Sequence, residues 1–99
     1  MDRSPAIGRL GAQLDAAASS ADWDALERAV RELARQLQVL AVKGPWSAAE
    51  RVALRRLRAS HERAAQAGAA AAAGLQARMD EMRDNKEGWM AYALAGATE

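Results

Sequence analysis

The stretch from Ser47 to about Asn85 limits what this chain can fold into more than any other. It opens on Ser47-Ala48-Ala49-Glu50, a capping box. In such a box the Ser47 hydroxyl accepts from the third helical N–H while the Glu50 carboxylate reaches back to the Ser47 N–H. Gly44-Pro45 just ahead stops the preceding element, and no proline follows. Leu54, Leu57, His61, Ala64, Gly68, Ala71 and Leu75 then recur at alternating steps of three and four, which makes one seam of a helix packed on other helices. The seam continues through Met79, Met82, Trp89 and Ala93, with Lys86 as its one charged position. Two consecutive steps of four, Ala71 to Leu75 to Met79, form a stutter that locally unwinds a supercoil. At about 1.5 Å per residue, Ser47 to Asn85 makes a helix of roughly 58 Å. The rest of a short chain, or a partner, must cover its apolar side.

How much cover the chain can supply follows from its side chains. Alanine accounts for 27 of the 99 residues, while Leu, Ile, Val and Phe together make only 15. That scarcity would suit a disordered chain if the charge were high, but the formal net charge is +1. Alanine is the strongest helix former, so the composition specifies helix around a thin core in a single domain over residues 1–99. A thin core leaves apolar stripes in reach of a partner.

Ser4-Pro5 reads as an N-cap followed by proline in the first turn. Ile7, Leu10, Leu14, Ala17 and Ala21 form the seam of a first helix over about 5–19. Asp22 caps a second helix over about 22–42, whose seam is Trp23, Leu26, Val30, Leu33, Leu37 and Leu40, with Trp23 in the core. The step of two from Ala21 to Trp23 would turn the stripe by roughly 200°, so the chain must break near Ser19 to Asp22. Lys43-Gly44-Pro45-Trp46 is the second break, and a loop this short makes the second and third helices antiparallel neighbours. The expected fold is all-α: an antiparallel helical bundle with a short first helix, a second helix and one long third helix over about 47–85. A helical tail over 86–99 either continues the third helix or folds back after a break at Asn85-Lys86-Glu87-Gly88, since Gly88 costs about 1 kcal/mol inside a helix.

The chemistry of the chain is sparse. With no cysteine and one histidine, a catalytic triad, a thiolate metal site and disulfides have no residues to build them, so neither an enzyme nor a cofactor is expected. His61 lies among small residues on the third seam and reads as a core or rim side chain. Gly68 and Gly74 read as close-packing sites in a helix rather than a phosphate loop. Arg51, Arg55 and Arg58 make a basic stripe, but Glu50 and Glu62 interrupt it. It reads as a solvated face, not a nucleic-acid footprint. No apolar run is long enough to span a membrane or resembles a signal peptide, so a cytoplasmic location is expected.

Asp22-Trp23-Asp24-Ala25-Leu26-Glu27 after a short first helix, the cap Ser47-Ala48-Ala49-Glu50-Arg51 of a long charged helix, and Met90-Ala91-Tyr92 near the C-terminus follow one another in this order. In this the chain resembles the FliT-type flagellar export chaperones, small all-helical proteins of bacterial flagellar assembly. The resemblance implies binding of the C-terminal segment of the filament-cap protein, which keeps that client from assembling before export. It further implies contacts with the export ATPase complex and with a flagellar transcription activator. It places the client groove between the second and third helices, gated by the last segment, Asn85 to Glu99, with Tyr92 at the matching aromatic.

Large apolar residues exceed what one seam can bury, which singles out Val39, Val42, Met79, Met82, Trp89, Met90 and Tyr92 as the surface that forms or gates a client site. Methionine suits adaptable apolar surfaces, and a helix laid on an apolar stripe is a common recognition mode. Three other readings compete. In a secreted helical hairpin the turn would carry Trp-x-Gly, but here it reads Trp46-Ser47-Ala48. A regulator acting on DNA would bind duplex DNA in a salt-sensitive way. A structural homodimer would pair the uncovered half of the long helix with itself.

Overall fold

In the computed structural model, which describes residues 1–97, the chain is all-α: α1 (Ser4–Ser19), α2 (Trp23–Ala41) and α3 (Ala48–Ala97), with no strand among the described residues. It divides into two compact units, Met1–Gly68 and Ala69–Glu99. The first unit is an antiparallel bundle of α1, α2 and the first part of α3.

The start of α1 differs from the expected Ser4 cap. Arg3 occupies the cap position in a helical conformation, without a side-chain capping bond. The acceptor comes one residue earlier: the Asp2 carboxylate receives the Ser4 N–H at 2.9 Å. The Ser4 hydroxyl is buried without a partner among the described residues. Proline in the first turn removes only a donor that has no acceptor there.

The break after α1 is a Schellman turn. The Asp22 N–H donates to the Ala17 carbonyl and the Ala21 N–H to the Ala18 carbonyl. Ala21 takes the left-handed conformation, φ +53°, that such turns usually reserve for glycine. Asp22 then caps α2 by accepting from the Ala25 N–H at 3.0 Å. Gly44, at φ +120°, supplies the second reversal. The capping box of α3 forms as the sequence predicts, with Ser47 N–H to Glu50 Oε1 at 2.8 Å and Glu50 N–H to Ser47 Oγ at 3.1 Å.

The α1 seam packs as its period predicts from Ile7 to Ala17, while Ala21, its expected last member, is exposed in the turn. Ile7 and Leu14 are fully buried, and they cluster with Leu10, Leu40, Leu57 and Ala64. The α2 seam does not reach as deep. Only Leu40 is buried, Leu26, Leu33 and Leu37 are half-buried, and Val30 is exposed. Trp23, expected in the core, is 37% exposed.

In the second unit α3 runs through Asn85–Gly88 without interruption, so the candidate break is not one and the tail continues the helix. The last two residues of the expected tail, Thr98 and Glu99, lie outside the described residues. From Ala69 to Gly96 every residue except Ala71 and Asp80 is exposed.

Candidate functional site

Two kinds of feature distinguish the units: a buried polar clamp beside shallow grooves in the first, and an uncovered apolar stripe in the second. The clamp is Arg3. Its Nε donates to Glu50 Oε2 at 2.7 Å and its Nη2 to Glu50 Oε1 at 3.0 Å, so the carboxylate is gripped by both oxygens. The remaining guanidinium donors go to the carbonyls of Leu40 (2.7 Å), Gly44 (3.0 Å) and Pro45 (2.7 Å), and the Arg3 backbone N–H adds a bond to Glu50 Oε2 at 2.9 Å. The Trp46 ring covers the guanidinium, 4.1 Å from its centroid. Trp46 thus packs back on the bundle. The Arg3 bonds, followed by the Ser47 N–H, hold the Glu50 carboxyl well below the usual carboxylate range, against the opposing effect of burial. With every donor and both oxygens satisfied, this pair has no open position for a ligand. It is a structural fastener.

The grooves of the first unit are modest. A cleft of about 180 Å³ between α2 and α3 is lined by Leu33, Leu37, Leu54, Leu57, Arg58 and His61. His61 is therefore a rim side chain, and neither Val39 nor Val42 lines the cleft. This cleft is where the resemblance places the client groove, and in the chain alone it is small. The larger opening, about 810 Å³, lies between α1 and α3, with Gly8, Gly11 and Ala12 on one wall and Val52, Ala53 and Arg56 on the other. At its end the Ser60 hydroxyl donates to Asp15 at 3.2 Å while accepting from Arg63 at 3.0 Å.

The residues singled out from the sequence divide between the units. Val39 on α2 and Val42 just past it are exposed in the first, Val42 at 86%. Met79, Met82, Trp89, Met90 and Tyr92 are exposed in the second, along with Leu75 and Leu94. At ~100° per residue, Leu75, Met79, Met82, Trp89, Met90 and Ala93 share an arc of about 100° on α3. Tyr92 lies about 60° beyond the edge of that arc and turns its ring edge-on to Trp89, with centroids 6.2 Å apart. Gly88 floors the notch beside these two rings, with Asp84 and Asn85 on its edge. Leu75, on the seam the sequence shows, and Leu94, about 40° beyond the edge of the arc, extend the exposed run.

Among the described residues no group of three His, Cys, Asp or Glu side chains could hold a metal ion, and no helix is long and apolar enough to cross a membrane. The basic stripe of Arg51, Arg55 and Arg58 is solvent-exposed, and Arg58 reaches Glu62 at 3.5 Å. No protein-family model, curated protein or solved structure matches the chain.

Proposed function

We propose that the chain is a binding protein that shields an apolar helical segment of a client, and specifically a flagellar export chaperone for the C-terminal segment of the filament-cap protein. The observation that carries this reading is the exposed stripe of α3 between Leu75 and Ala93. Large apolar side chains at helical period, with no cover from their own unit, suit a helix laid alongside them. The class of client comes from the resemblance in element order and in Asp22-Trp23, Ser47–Glu50 and Tyr92. Contacts with the export ATPase complex and with a flagellar transcription activator belong to the same reading.

The test is calorimetric titration of the protein with the C-terminal segment of the filament-cap protein. Binding is expected, and Met82→Ala combined with Trp89→Ala should weaken it at least 10-fold with an unchanged melting temperature. Absence of binding by the unaltered protein removes the chaperone reading. Equal binding by the double variant moves the site off α3.

A further inference from the structure

The same stripe carries a charge pattern that restricts its occupant. On a helix of 3.6 residues per turn, Arg78 falls on one border of the apolar arc, Arg83 on the other, and Lys86 within it. Asp80, Glu81, Asp84 and Glu87 all fall on the remaining side. Arg83 is engaged with Asp80 at 2.7 Å. Among the described residues neither Arg78 nor Lys86 makes an ion pair or a side-chain hydrogen bond, and both are exposed. Lysine and arginine beside an apolar surface lay their methylenes along it and hold the charge at its rim. A partner approaching the stripe therefore meets apolar side chains first and unpaired cations immediately beside them.

We infer that this face of α3 binds an amphipathic helix of another protein whose apolar stripe is flanked by Asp and Glu, so that Arg78 and Lys86 pair with carboxylates at the edge of the contact. A second copy of this chain is a poor occupant. Stripe-to-stripe pairing would set the cation border of one copy against that of the other and bring two Lys86 side chains into the seam, while like charges in juxtaposition disfavour a pairing. An anionic lipid surface is also poorly matched, because in the part of α3 beyond Ala69 four carboxylates accompany three cations and the far side is acidic. The inference rests on the client-binding reading of this stripe and adds the chemistry that selects the client.

The test uses the full chain and two designed helical peptides with an identical leucine stripe, one flanked by Glu and one by Lys, titrated calorimetrically at low and moderate salt. The Glu-flanked peptide should bind at least 10-fold tighter, and its advantage should shrink with salt. Arg78→Gln with Lys86→Gln should erase the preference, and Arg78→Glu with Lys86→Glu should reverse it. Circular dichroism melts of both variants confirm that the exposed substitutions leave the fold intact. Equal affinity for the two peptides, or binding of neither, overturns the inference. So does sedimentation showing a dimer that the Glu-flanked peptide does not displace, or capture by phosphatidylglycerol vesicles without peptide binding. If the cap-protein segment binds without regard to Arg78 and Lys86, the chaperone reading stands and the charge rule falls. If the Glu-flanked peptide binds and the cap-protein segment does not, the charge rule stands and the chaperone reading falls.

Discussion

Ile7 and Leu14 are sealed from solvent in residues 1–68, whereas Met82 and Trp89, side chains at least as large on a helical seam beyond Ala69, are 70% and 72% exposed. Both regions are rich in alanine and both place apolar residues at helical spacing. The first has three helical segments to close over its seam and a polar fastener at its turn. The second is one stretch of helix whose large side chains stay in water. Period therefore fixes which face of a helix is apolar, and only the number of neighbouring elements fixes whether that face is buried. The first unit is expected to carry the stability of the chain and the second to carry recognition.

The sharpest way to break this comparison is a matched pair of truncations. Leu14→Ala removes a fully buried side chain and should cost about 3 kcal/mol in chemical denaturation. Met82→Ala removes an exposed one and should stay within about 0.5 kcal/mol. Comparable losses would mean that the second unit is not an open surface.

Acid should loosen the first unit through Glu50. Its carboxyl titrates lower in the folded chain than at its ordinary value of 4.5, so the stabilisation is fully present above that pH and drains away as pH falls below it. Arg3→Ala at neutral pH leaves the carboxylate buried without its partner and should lower the melting temperature by on the order of 10 °C or more. The gap in melting temperature between wild type and Glu50→Gln should narrow as the buffer goes from neutral to about pH 3. A constant gap would remove the charge of Glu50 from the account.

A smaller effect with the opposite sign is expected at Ala21. Ala21→Gly relieves the left-handed strain of the Schellman turn and should stabilise by about 0.5–1 kcal/mol, read from the denaturant midpoint. The smallest predicted change concerns Gly88→Ala. A Cβ there meets nothing within 4 Å, so helix propensity alone should slow amide exchange in the surrounding turns by a few-fold. Unaltered exchange would show that the turns around Gly88 are already held by something other than their own propensity.

Local capping signals held at Asp22 and Ser47 but not at Ser4, where Arg3 takes the cap position and Asp2 receives the Ser4 N–H. Asp22 capping Ala25 and the reciprocal Ser47–Glu50 bonds lie within three residues of each other, and both form where spacing places them. The Schellman turn falls at the required break although no glycine marks it. Arg3 was invisible because its partners lie 37 to 47 residues away and no period connects them. Glu50 was legible only as half of a capping box, a role that leaves Oε2 free for the arginine. Trp23 shows the limit of pattern. It begins a clean heptad and is still 37% exposed, because a period alone does not say what stands opposite a side chain. At Gly88 a weak breaker loses to the helix around it. For Val39, Val42, Met79, Met82, Trp89, Met90 and Tyr92 the sequence exposed the excess of apolar side chains. It could not say that they fall in two separate units.

The Arg3–Glu50 clamp also orders events in time. Joining residue 3 to residue 50 closes a noncovalent ring over about half of the chain, and the entropy lost in closing a ring grows with its length. The local capping turns at Asp22 and Ser47 have only a few residues to arrange, so they can form first and bring the ring's ends together. A fastener that closes last holds mainly by delaying escape. Weakening it as Arg3→Lys should leave the refolding rate nearly unchanged and raise the unfolding rate, and a slowed refolding rate would place the clamp early instead. Arg3 is thus expected to set how long the bundle lasts rather than how quickly it assembles.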